Sequence, residues 1–176
     1  MPQAYRMIGL LAYRIIGGII IFANTLGDSV SKQELVFDDN LFVFETVMRV
    51  RHTEIDLEQH VTIESMTALL SEARLRFLYA RGIKEVNADR QGLIIDKLQL
   101  DIMSRIRVRE ELLFEVGVEP VYDNGGSIVI KITRMHTGEV VAKARQHFRN
   151  YDFNLDKVTK LDKSTKEALY PHLFRL

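Results

Sequence analysis

Residues His52–Gly82, HTEIDLEQHVTIESMTALLSEARLRFLYARG, couple a polar, acid-rich lead-in to a long amphipathic pattern. From Ile63 the apolar residues Met66, Leu70, Ala73, Phe77 and Ala80 follow at steps of three and four, the spacing of one helix face. Leu69, Leu75 and Leu78 widen that face, and Glu64, Glu72, Arg74, Arg76 and Arg81 are left for water or ion pairs. So broad an apolar surface needs cover on several sides, which predicts a central helix. Gly82 ends it, because glycine takes the left-handed conformation without a Cβ clash.

The remaining chain reads mostly as strands. Leu41–Arg51 alternates Phe44, Thr46, Met48 and Val50 against Glu45, Arg49 and Arg51, the period of a half-buried strand. After the helix, Leu93–Met103, Glu110–Tyr122, Ser127–Met135 and Val140–Asp152 are strand-like. Asp123-Asn124-Gly125-Gly126 and His136-Thr137-Gly138-Glu139 punctuate them as hairpin turns, which predicts an antiparallel meander. Lys166–Leu173 reads as a short terminal helix interrupted by Pro171. One strand, a long helix and four strands is an α+β order, with a sheet wrapped around one helix, and not the alternation of a doubly wound fold.

The apolar run Met7–Ala23 stands apart, broken by Arg14, Gly17 and Gly18. Three readings are open for it: a membrane anchor or uncleaved signal, a helix packed on the domain or a partner, and an extension ahead of the true start. A central arginine costs about 2.5–3.5 kcal/mol at a bilayer midplane, which weighs against a span. Gly27–Asn40 is polar and reads as a linker. The expected organisation is an apolar extension and linker over residues 1–40, a domain over 41–160 and a tail over 161–176.

The totals exclude several classes. With 24 Lys plus Arg against 24 Asp plus Glu there is no global field to attract nucleic acid. The chain has no cysteine, hence no disulfides, thiolate nucleophile or zinc-thiolate site, which fits a reducing, cytoplasmic setting. Neither a G-x-S-x-G elbow nor a phosphate-binding loop is present.

The segment Ile55-Asp56-Leu57-Glu58-Gln59-His60-Val61-Thr62, followed by Glu72-Ala73-Arg74-Leu75-Arg76-Phe77-Leu78, resembles the hotdog-fold thioesterases of the 4-hydroxybenzoyl-CoA thioesterase-like and acyl-ACP thioesterase-like branch. Their pattern is T-D-x-x-G-H-V-N-N and then E-A-R-x-x-F-L, and the spacing here needs no gap. Arg109-Glu110-Glu111-Leu112 is similar to the family's G-D-E-L, and Asn150-Tyr151-Asp152 to the end of its last strand. Gln59 stands at the family glycine, and Glu58 and Thr62 at asparagines. The resemblance implies a hotdog fold, hydrolysis of an acyl-CoA or acyl-carrier-protein thioester without a cofactor or metal, and a homodimer or homotetramer with sites at the subunit interface.

It also implies a division of roles. A thioester asks for one carboxylate and a place for the developing oxyanion. Asp56, just ahead of the helix, is the expected base or nucleophile, with His60 and Glu64 as further catalytic candidates. The first N–H groups of the helix, around Val61 to Ser65, would polarise the carbonyl, with the Thr62 and Ser65 hydroxyls as further donors. Met66 and Leu70 would line an acyl slot. Arg105, Arg107 and Arg109 alternate and could share one face toward the phosphates of CoA or an acidic carrier protein. Solvated acids, N-caps and ordinary ion pairs are the plainer readings of these same residues. The rival function is a module that binds acyl-CoA or carrier protein without turnover, tethered to a membrane through residues 7–23.

Overall fold

The computed structural model describes residues 12–16, 19–23 and 34–170. Two compact units divide between Glu34 and Leu35. In the first, β1 (Ala12–Ile16) pairs antiparallel with β2 (Ile19–Ala23), with Ile16 opposite Ile19. The apolar run is therefore extended where it is described, which corrects the helical readings. Consecutive β-branched isoleucines either side of a glycine pair favour strands over a helix. No helix among the described residues is long and apolar enough to cross a membrane. The other residues of the run lie outside those described.

The second unit is a curled antiparallel sheet around one helix, the hotdog fold. Its strands are β3 (Phe42–Arg49), β4 (Gln91–Ile102), β5 (Glu111–Val118), β6 (Gly125–Arg134), β7 (Val140–Asp152) and the short β8 (Lys157–Val158). Sheet order is β3-β5-β6-β7-β4, with β8 added to the end of β7. Only β5, β6 and β7 form a meander. β4 pairs β7 rather than its chain neighbour β5, so the expected four-strand meander is corrected. The reason lies in the chain between them: Met103–Glu110 leaves β4 and returns to pair with the segment ahead of the helix, through Val61 N–H to Ile106 C=O (2.8 Å).

Helix α1 (Ile63–Ala80) lies on the concave face. Thr62 caps it, its Oγ1 accepting from Ser65 N–H (3.1 Å). Gly82, at φ +71°, ends it: Ile83 N–H donates to Leu78 C=O and Gly82 N–H to Tyr79 C=O, both 2.9 Å. Met66, Leu70, Ala73 and Phe77 are fully buried against Leu112, Phe114, Ile130, Ile132 and Phe148. The ends of the predicted stripe, Ile63 and Ala80, are exposed. Arg74, expected at the surface, turns inward and donates from Nη1 to the buried Gln146 Oε1 (2.7 Å).

Alternation in β4 changes phase at a bulge. Ile95 stands opposite Phe148 and Lys97 opposite His147, leaving Asp96 as the extra residue. Leu93 and Ile95 before it, and Leu98 and Leu100 after it, all pack on the core. Asp96 accepts at 2.6 Å both from His147 Nδ1 and from Arg149 Nε, and Tyr122 hydroxyl meets the other ring nitrogen of His147.

The turn glycines work in two ways. Gly138 has φ +73°, as a hairpin turn requires. Gly125 instead lies in β6, where a Cβ would stand 2.2 Å from Phe148 O, so it is small for close approach.

The compact unit begins at Leu35, ahead of the boundary expected at Leu41. Leu35 is buried and donates its N–H to Asp101 Oδ2 (3.0 Å), and Phe37 lies under the Arg145 guanidinium. At the other end α2 (Lys163–Leu169), capped by Asp162, starts earlier than predicted and buries Leu169 in the core with Leu161. Pro171 lies outside the described residues.

Candidate active site

The lead-in to α1 is a tight loop closed by a bridge between Ile55 and Val61. Asp56 N–H donates to His60 C=O (2.8 Å) and Gln59 N–H to Asp56 C=O (3.0 Å), which forces Gln59 to φ +63°. That is the glycine position of the resembled motif, and the left-handed backbone explains why glycine suits it. Val108 N–H then donates to Gln59 C=O (3.2 Å), docking the loop on the 106–108 segment.

Asp56 is held by this loop. The N–H groups of Glu58 and His60 donate to its Oδ1 at 2.9 and 3.0 Å. Among the described residues no hydrogen bond reaches Oδ2. The His60 N–H, with smaller help from Glu58 N–H and the charge of Arg105, outweighs partial desolvation and holds the carboxyl below the usual aspartate range. Asp56 is thus an ionised, oriented carboxylate with one oxygen to spare, and it is exposed in the single chain.

The other expected residues divide. His60 is half-buried, and its Nδ1 is enclosed without a hydrogen-bond partner. A proton there would be a stranded donor, so the ring proton belongs on Nε2. Glu58 is committed to Arg105 Nη1 (2.8 Å). Glu64 is an exposed acid in the first helical turn.

Three of the expected oxyanion donors are engaged elsewhere. Val61 N–H goes to Ile106 C=O (2.8 Å), Thr62 N–H to Glu54 C=O (3.2 Å) and Ser65 N–H to the Thr62 hydroxyl (3.1 Å). The Thr62 and Ser65 hydroxyls also bond each other (3.0 Å). The N–H groups without an acceptor among the described residues are those of Ile63 and Glu64, at the first two helical positions. Sequence spacing locates the helix start but not which amides the loop consumes.

Met66 and Leu70, expected along an acyl slot, are fully buried and packed into the core. Their broad-stripe positions place them under the sheet, not beside an opening. The arginine row is also corrected. Its alternation argument needs an extended segment, whereas Val108-Arg109 is a turn with Arg109 at φ +68°. Arg105 is taken by Glu58, and Arg107 bridges His60 through the backbone. Among the described residues no three His, Asp or Glu side chains gather closely enough to hold a metal ion.

Comparison with solved structures returns the same fold. A 1,4-dihydroxy-2-naphthoyl-CoA thioesterase from Synechocystis superposes with a TM-score of 0.68 at 13% identity, over 75% of this chain and 98% of that one. A gentisyl-coenzyme A thioesterase gives 0.65 at 15% identity, over 72% and 99% of the two chains. A thioesterase-superfamily protein from Jannaschia gives 0.66 at 15% identity, over 73% and 82%. No curated protein sequence matches. The family model described as the thioesterase-like superfamily matches residues 50–169. That span takes in the Asp56 loop, α1 and every strand from β4 to β8, and the chain belongs to the thioesterase-like superfamily.

Proposed function

We propose that the protein hydrolyses an acyl thioester carried on CoA or on an acyl carrier protein, with Asp56 as the catalytic carboxylate. The observation that carries this reading is the asymmetric fixing of Asp56: Oδ1 is spent on two backbone N–H groups, and Oδ2 is left for chemistry. The carboxylate either takes a proton from the attacking water or attacks the carbonyl itself to give a mixed anhydride that water opens. In both cases the carbon–sulfur bond breaks and the thiol leaves. The Ile63 and Glu64 N–H groups, reinforced by the positive end of the α1 dipole, would receive the oxyanion. His60 Nε2–H is a further donor for water or carbonyl, and Glu64 the reserve acid.

The exposure of Asp56 in one chain supports a site completed by a second subunit, which would exclude water and supply the acyl slot that Met66 and Leu70 do not open. The test is release of free thiol from short, long and aromatic acyl-CoAs by the wild type and Asp56→Asn. Loss of a hundredfold or more in the variant, about 2.7 kcal/mol of transition-state stabilisation, with the fold intact, supports the assignment. Equal turnover by both proteins removes Asp56 from the chemistry and turns attention to Glu64. Binding of acyl-CoA without thiol release by either protein overturns hydrolysis in favour of a binding module.

A further inference from the structure

We infer that the hollow between β3 and α1 binds an organic diphosphate. It has a volume of about 650 Å³, within the ~300–1,000 Å³ of small-molecule sites. Val47, Met48, Val50 and Leu69 give it an apolar floor. Arg49 and Arg51 from the β3 end, Arg76 from α1 and Arg109 from the turn before β5 bring four arginines to its lining with His52, and no carboxylate lines it.

Two of these charges are answered and two are not. Glu72 pairs with Arg76 at 2.7 Å, and Glu54 lies 3.9 Å from Arg51. Arg49 and Arg109 have no carboxylate partner among the described residues. What joins them is backbone: Arg49 Nε donates to Arg109 C=O (3.2 Å), and Arg109 N–H to Val50 C=O (2.9 Å). Arg109 takes this place at φ +68°, a conformation that side-chain-bearing residues rarely adopt and that concentrates at ligand clamps.

Two arginines without a carboxylate partner, beside two that are paired, leave the wall positive and match an anion, and guanidinium forks match phosphate oxygens in pairs. Separate wall elements suit two linked phosphates better than one, and the apolar floor suits an attached organic group. The hollow adjoins the Asp56 loop, since Val108, one residue before Arg109, is bonded to Gln59 (3.2 Å). The diphosphate can therefore come from the nucleotide half of a thioester carrier or from a separate nucleotide.

Calorimetric titration of the full chain with ADP, inorganic pyrophosphate and adenosine tests the site directly. ADP and pyrophosphate should bind saturably, adenosine should not, and added salt should weaken binding. Arg49→Gln and Arg109→Gly should each weaken ADP by about tenfold or more while remaining folded, as a cooperative thermal transition shows. The glycine variant removes the guanidinium at a backbone position that glycine adopts freely. No saturable binding of either diphosphate at low salt, or variants that bind like the wild type, overturns the site.

Kinetics then identify the source. Competition by ADP against acyl-CoA, raising KM at constant kcat, assigns the diphosphate to the substrate's carrier. Binding without competition assigns it to a separate nucleotide. Only this second arm rests on the thioesterase reading, so an inactive protein that binds ADP separates failure of that reading from failure of the site.

Discussion

Gln59 ties the geometry of the candidate site to a measurable strain. Its φ of +63° is imposed by the Asp56–His60 loop, whose bonds run both ways between those two residues and outward from Gln59 C=O to Val108. For a residue with a Cβ this conformation costs about 1–2 kcal/mol. Glycine would recover that sum and give back about 0.5–1 kcal/mol in unfolded-state entropy. Gln59→Gly should therefore leave stability between unchanged and about 1.5 kcal/mol higher, a rise of roughly 3–6 °C in Tm at the upper end. Gln59→Val, β-branched, cannot accept the conformation without opening the loop. It should lower stability by more than the glycine variant raises it, and should lower kcat/KM because the two N–H donors to Asp56 Oδ1 lose their alignment. Urea unfolding gives the stability of each variant, and thiol release from a turned-over acyl-CoA gives kcat/KM. A Val variant as stable and as active as the wild type would refute the idea that this backbone position orients Asp56.

Other consequences are sharper in stability or pH. The depressed Asp56 carboxyl contributes stability above the ordinary aspartate range and loses it as pH falls through its lower folded value; the acid limb of kcat/KM should accordingly lie below that range. Leu169→Ala should cost about 2–5 kcal/mol in a denaturant titration, because the side chain is only 1% exposed within the core. Gly125→Ala should destabilise by about 1–3 kcal/mol, read as a fall in unfolding midpoint, since the added Cβ meets the Phe148 carbonyl.

The parts of this molecule that local chemistry determines were legible in its sequence. Thr62 and Gly82 bracket α1 by capping rules, and Met48 and Val50 of the first predicted strand are buried as their alternation requires. Asp56 stands in a loop just ahead of α1, the place its flanking motif implied. What could not be read depends on pairing between distant segments. β4 joins β7 because 103–110 is drawn to the Asp56 loop, and the same pairing uses up the Val61 amide. Met66 resembles a pocket residue until the sheet is folded over it. Arg49, Arg51, Arg76 and Arg109 are dispersed through the chain, and only folding makes them neighbours.

The bulge at Asp96 has a consequence for comparison across relatives. On either side of it the inward positions of β4 fall on residues of opposite parity: Leu93 and Ile95, then Leu98 and Leu100. A gapless alignment with a strand that lacks the bulge would match core residues with solvent residues along half its length, and so count as divergence what is an offset of one. Deleting Asp96 would remove that offset physically, bringing Leu93, Ile95, Leu98 and Leu100 into one unbroken alternation, and would also remove the carboxylate that His147 and Arg149 share.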